Sequence, residues 1–192
     1  MPEPRPDVLK FLLERRSRPA KTLTGPAPDA AALEPILAAG LRVPDHGKLE
    51  PWELIVVDAA AMPRLADLTH RMGLERGLDA EKAEKAALTF SAAPLIVAVV
   101  SRTVDSEKVP AVEQVLSAGA VCLSLVNAAL AAGWGANWLT GWTALDESFL
   151  TEALGIEPGA MVAGYVVIGT ETSKPPERPR PDMDAKVRWI RT

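Results

Sequence analysis

The sequence predicts a layered α+β or α/β domain built on a mixed sheet of about four strands. Three observations carry this expectation. Two short β-branched runs, Leu54 to Val57 and Leu95 to Val100, have the character of buried strands. Helical patterns separate one strand-like run from the next. From Val112 to Ala132, Val115, Leu116, Gly119, Cys122, Leu123, Val126 and Leu130 spread around much of a helix circumference, so that helix must be covered on most sides.

Each element has a local reason. Val8, Phe11 and Leu12 recur at helical spacing behind Asp7, a good N-cap, and this helix runs into Arg15-Arg16-Ser17 before Pro19. Asp29 caps a second helix marked by Leu33, Ile36, Leu37 and Leu41, in which Pro35 delays the start or makes a kink and Pro44 ends the run. The charged stretch from Ala60 to Ala87 reads as two surface helices broken near Gly77. After the long helix, Gly133 to Gly141 holds a short strand, Asp146 to Leu154 is a helix stopped by Gly155, and Met161 to Ile168 is a last buried strand. Beyond Gly169, Pro175, Pro176, Pro179 and Pro181 favour an extended path. That arm, residues 170–192, ends in Val187, Trp189 and Ile190, apolar residues expected to dock, with a partner subunit as one candidate.

Composition narrows the function. With 192 residues, 48% of them hydrophobic, the chain fills one core and is short for two, so 1–192 reads as a single domain. A net charge of -4 provides no basic field for nucleic acid, so any anion must be held locally. Cys122, the single cysteine, reads as a small core residue. The start lacks an apolar signal core and no apolar run looks long enough to span a bilayer, which points to a soluble cytoplasmic protein. Neither Gly-x-Gly-x-x-Gly nor a phosphate loop is present, His46, His70 and Cys122 form no metal-ligand pair, and no Gly-x-Ser-x-Gly elbow occurs.

What remains suits a bound anionic cofactor. Arg15, Arg16 and Ser17 offer two guanidinium forks and a hydroxyl, enough for a phosphate and a ring carbonyl. Taken alone, the triplet reads more simply as cations meeting a helix C-terminal dipole. Arg42-Val-Pro-Asp-His-Gly-Lys-Leu-Glu-Pro-Trp52 is a polar loop at a strand entrance, a usual place for ligand contacts and equally an ordinary connection in which His46 is a turn residue.

The order of these landmarks resembles the nitroreductase family, and more narrowly its small bacterial YdjA-like branch. The likeness rests on Arg15-Arg16-Ser17 after a short helix, Arg42-x-Pro44-Asp45-His46 and Pro51-Trp52 leading into a strand. It continues through Val109-Pro110, Glu113-Gln114 and Ser117-Ala118-Gly119, the glycine and tryptophan turn, and Val166 to Gly169. The resemblance implies an α+β fold in three layers, α/β/α, with a mixed sheet of four or five strands, a long central helix and a homodimer. It further implies non-covalent FMN, NAD(P)H as co-substrate, and ping-pong electron transfer to nitroaromatic or quinone-like acceptors. No catalytic side chain and no metal are then required, because the flavin carries the chemistry. The fold also serves ring oxidation, dehalogenation and flavin fragmentation, and a non-catalytic flavin-binding dimer is a further alternative.

Residue by residue, the resemblance places Arg15, Arg16 and Ser17 on the FMN phosphate, ribityl chain and pyrimidine edge. Arg42 and His46 reach the cofactor across the dimer interface, and Trp138, Leu139 and Thr140 meet the flavin from the turn after the long helix. Arg178 or Arg180 supplies a basic group from the C-terminal arm, for which a solvated polyproline segment is the plainer alternative. Trp138 has a plain alternative as a core aromatic. Leu139 stands where the branch has an arginine, and Lys48 and Glu50 stand where many relatives have asparagine and glutamine.

Overall fold

Seven α-helices and five strands follow one another through residues 3–191, which a computed structural model describes. Helix α1, Pro6–Glu14, begins with Pro6 at a position where a missing N–H has no cost. Asp7, expected as its cap, lies inside the first turn and pairs with Arg5 at 3.0 Å, because the fixed φ of Pro6 starts the helix one residue early. Strand β1 is Leu23–Thr24. Helix α2, Ala30–Gly40, is capped by Asp29 accepting from Ala32 N at 2.9 Å, and it carries Pro35 in its interior. Strand β2, Trp52–Val57, precedes α3, Met62–Glu75, and α4, Ala80–Ser91, which are divided at Gly77 with its positive φ of 82°. Then come β3, Ile96–Ser101, α5, Ala111–Ala131, and β4, Gly135–Leu139. Helix α6, Glu147–Leu154, is capped by Asp146 and stopped by left-handed Gly155, and β5, Met161–Glu171, completes the sheet.

Every pairing among these strands is antiparallel, which corrects the expected mixed sheet. The order runs β2, β3, β5, and the far edge of β5 carries β4 along Tyr165–Gly169 and β1 along Thr170–Glu171. The reason is non-local. β3 and β4 both oppose β5 and so run the same way, with α5 as their crossover, but β5 inserts between them and leaves no parallel neighbours.

Alternation along β3 and β5 divides the core in two. Val97, Val99, Val166 and Ile168 pack under α2 and α5, against Leu33, Ile36 and Leu125. Ile96, Ala98, Val100, Tyr165 and Val167 face α3, α4 and α6, meeting Leu65, Phe90 and Phe149. The result is the expected helix, sheet and helix layering. Helix α5 does have the length and mean hydropathy, 1.7, of a membrane span, contrary to the reading that no run is long enough. Here it is the central helix of the core, with Ala118, Val121, Cys122, Leu125 and Ala129 fully buried.

Cover on α5 is incomplete. Val112, Leu116 and Leu123 remain 63%, 68% and 47% exposed along one side. Leu9, Leu12 and Leu13 on α1 are exposed as well, and α1 buries none of its residues. The arm past Glu171 is extended through its prolines and then forms a helical turn, α7, Met183–Lys186, once the last proline is passed.

Candidate functional site

The chain leaving α1 is stitched to β4 and then overlaid by the C-terminal arm. Arg18 N donates to Ala136 O at 2.8 Å, and Asn137 Nδ2 donates to Arg18 O at 2.6 Å. Arg16 Nη1 donates to Pro176 O at 2.6 Å and lies 3.8 Å from the Glu177 carboxylate. Arg180 Nη2 donates to Leu13 O at 3.2 Å and pairs with Glu177 at 3.1 Å. These contacts enclose a cleft of about 660 Å³ bordered by Arg15, Arg16, Arg18, Lys174, Glu177 and Arg180. A neighbouring hollow of about 430 Å³ adds Ser17 and Arg178.

The charge in this cleft is not balanced. Arg18 pairs with Glu171 at 3.1 Å and Glu177 serves Arg16 and Arg180, but among the described residues Arg15 has no carboxylate partner. Its one side-chain bond runs from Nη2 to Ser17 Oγ at 3.2 Å. Partial burial, and then the guanidiniums of Arg180, Arg16 and Arg18, hold Arg15 below the usual arginine pKa. Its Nε is buried without a hydrogen-bond acceptor. A buried cationic N–H with no partner is costly, and a phosphate oxygen is the ligand that would satisfy it while neutralising its neighbours. The donor set therefore fits a phosphate monoester.

A second polar locus forms at the other end of α5. Asp45 accepts from Leu49 N at 3.2 Å and from Glu50 N at 2.8 Å, closing a tight loop in which Gly47, Lys48 and Glu50 have φ of 76°, 55° and 47°. Two non-glycine residues in the left-handed region are strained, and such strain persists where the surroundings over-determine it. Ser117 on α5 does this by donating to Pro44 O at 2.7 Å while accepting from Trp52 Nε1 at 3.1 Å. Beside it, Glu113 meets His46 Nδ1 at 2.7 Å. Arg42 is exposed.

Within one chain these two loci do not meet. His46 touches Glu113 in the first turn of α5, whereas Leu130 in its last turn lines the arginine cleft. Seventeen residues of helix at 1.5 Å each separate them by about 25 Å.

Of Trp138, Leu139 and Thr140, it is Trp138 that reaches α5, near Gly119 and so between the two loci. The Trp138 indole crosses Gly164, where a Cβ would collide with its Nε1 and Cδ1, and its Cη2 lies where a Cβ on Gly119 of α5 would make ordinary contact. Its Nε1 donates to Ala163 O at 3.2 Å, yet the residue stays 39% exposed. Leu139, next along the strand, faces the opposite side of the sheet and borders a small cavity of about 290 Å³ with Lys21 and Lys85. Thr140 is exposed.

Residues 12–170 match the model of the nitroreductase family. The chain belongs to this family. YdjA of Escherichia coli strain K12, named as an NAD(P)H nitroreductase, is 36% identical over 169 residues, covering 88% of this chain and 90% of that protein. A Haemophilus influenzae protein, also named as an NAD(P)H nitroreductase, is 38% identical over 170 residues, covering 88% and 90%. Among solved structures, a nitroreductase-like protein of Bacillus cereus superposes with a TM-score of 0.81 at 21% identity, covering 99% of each chain. A Bacteroides fragilis nitroreductase with bound FMN has a TM-score of 0.74 at 18% identity, covering 96% of this chain and 99% of that one.

The family match ends with β5, so in this chain the arm that covers Arg16 lies beyond it. Of the two arm arginines singled out from sequence, Arg180 is tied to the end of α1, while Arg178 lines the smaller hollow only. Arg18, Lys174 and Glu177 were missed. Arg18 merely extends the basic triplet by one residue, and that was the available signal. Lys174 and Glu177 owe their place to the path of the arm, which proline-rich sequence leaves open. Cys122 is buried in the core, and that burial pushes its thiol up to about 12.

Proposed function

We propose that this nitroreductase-family protein is an FMN-dependent NAD(P)H oxidoreductase that works as a cytoplasmic homodimer and passes electrons to nitroaromatic or quinone-like acceptors. The observation that carries the reading is the unpartnered, buried Nε of Arg15 inside a cleft of four arginines. The family itself and the relatives named as NAD(P)H nitroreductases supply the direction of the chemistry.

In this reading Arg15, Arg16 and Arg180 clamp the phosphate, and Ser17, already held by Arg15, turns its hydroxyl to the same ligand. Glu177 has to give up Arg16 as phosphate enters. Bound there, the flavin ring supplies the electron transfer from reduced nicotinamide to the acceptor. The protein's task is to place the ring, exclude water and hold positive charge near the pyrimidine edge, without a side-chain acid or base.

The homodimer that the family resemblance implies would also close the distance between the two loci. A two-fold axis across α5 would set the first turn of one copy beside the last turn of the other, carrying His46 and Arg42 of one subunit to the arginine cleft of its partner. The uncovered apolar side of α5, with Val112, Leu116 and Leu123, suits that contact.

The test is a single sample supplemented with FMN, sized and scanned before and after anaerobic NADH or NADPH. A flavin band that bleaches on a dimer-sized species, then returns with a quinone or nitroaromatic, is the expected result. No binding at micromolar FMN would overturn the reading.

A further inference from the structure

We propose that Glu113 is the positioning residue of His46, fixing the imidazole so that Nε2 is the nitrogen presented to the cofactor bound by the partner subunit. The inference rests on the dimeric FMN reading above and assigns a role to a residue that reading leaves out.

The geometry begins with protons. A carboxylate only accepts, so the 2.7 Å contact between Glu113 and His46 Nδ1 requires Nδ1 to carry the hydrogen. In the neutral ring Nε2 is then the nitrogen without a hydrogen, and its chemistry is set by the residue that holds the other side of the ring.

The backbone on either side of His46 is already pinned. Ser117 holds Pro44 O, Asp45 holds Leu49 N and Glu50 N, and Val109 packs against Gly47. What the loop leaves free is the pair of side-chain torsions of His46 itself, and Glu113 removes that freedom. Glu113 and Ser117 are one turn apart on α5, so a single helix face aligns both the loop and the ring it carries.

A bland account, in which the pair merely stabilises the fold, is weak on this geometry. His46 and Glu113 side chains are 59% and 45% exposed, and pairs this open to water add little stability. Their surroundings nonetheless suit an interface, because Val112 and Leu116, near Glu113 on α5, expose apolar side chains. An arrangement that is idle in one chain becomes useful when a second copy covers it.

The test combines imidazole tautomers with cofactor binding. Long-range ¹H–¹⁵N NMR at alkaline pH, with His70 as the internal control, is expected to show the Nδ1–H tautomer for His46. Glu113→Ala should return the ring to the Nε2–H form, and Glu113→Gln, which still offers an acceptor oxygen, should keep Nδ1–H. In FMN titrations Glu113→Ala should weaken binding by about tenfold and Glu113→Gln by less than about threefold, with melting temperatures unchanged. In a His46→Ala background, Glu113→Ala should add no further loss. An unchanged tautomer in Glu113→Ala, or an equal loss of affinity with and without His46, would overturn the assignment. A wild-type protein that takes up no FMN fails the functional reading and this role together, whereas wild-type binding matched by Glu113→Ala removes Glu113 alone.

Discussion

Arg16 donates to the carbonyl of Pro176 at 2.6 Å, across 160 positions of sequence, and so ties the segment just past α1 to the C-terminal arm. The same arm brings Glu177 to 3.8 Å from Arg16 and 3.1 Å from Arg180. Hydrogen bonds to charged groups contribute about 1.5–3 kcal/mol each, so Arg15→Ala or Arg16→Ala should weaken FMN binding by roughly ten- to a hundredfold. Glu177→Gln should act the other way, tightening it by about two- to fivefold at low salt, with the gain fading as salt rises. Fluorescence titration at two ionic strengths measures both, and a weaker Glu177→Gln would show that the carboxylate helps to build the cleft rather than compete for it.

Lys48 adopts φ of 55° in the loop that Asp45 closes. Asparagine tolerates this region without adding the backbone entropy of glycine, so Lys48→Asn should stabilise the protein by about 0.5–1 kcal/mol. In a domain of this size that raises the melting temperature by roughly 1–4 °C. A lower melting temperature would mean that the lysine side chain makes a contribution its conformation conceals.

Gly164 leaves room for the Trp138 indole and for nothing more. Gly164→Ala should cost about 1–3 kcal/mol through overpacking, visible in chemical denaturation. Trp138→Ala in the same background should recover part of that loss, since the clashing partner is gone. Without recovery, the glycine would be needed for its backbone rather than for its space.

Asp146 caps α6 at Phe149 N and pairs with Arg76, whose guanidinium lies 4.8 Å from the Trp142 ring centre. Hydrogen bonding from Arg76 leads the causes that hold its carboxyl below the usual range. A folded-state pKa below the unfolded value gives stability that is present at neutral pH and lost as pH falls through the folded pKa. Asp146→Asn keeps the cap but not the charge, so it should lower stability by about 0.5–1 kcal/mol at pH 7 and by progressively less below about pH 4. Denaturation curves at pH 7 and pH 3 separate the two; a pH-independent difference would assign the effect to the cap alone.

Much of the local structure could be read along the chain. The caps at Asp29 and Asp146, the breaks at Gly77 and Gly155 and the β-branched strands are short-range preferences, and the structure has them where those residues stand. The start of α1 is the exception that proves local as well, since Pro6 overrode Asp7 through its own ring. Arg15, Arg16 and Ser17 were visible as a motif at a helix end. Their meaning was not, because the same triplet also describes an ordinary helix terminus.

By itself the sequence determined the order of the main helices and strands, the buried character of β3 and β5 and the family, since each depends on residue type at fixed spacing. Tertiary structure alone decided three further matters. β5 inserts between β3 and β4 and makes every pairing antiparallel; the arm returns to lay Pro176, Glu177 and Arg180 over the arginines; and α5 holds His46 about 25 Å from the cleft that its sequence motif accompanies. All three join residues far apart in sequence, and such contacts are selected by the packing of whole elements, which no local spacing encodes.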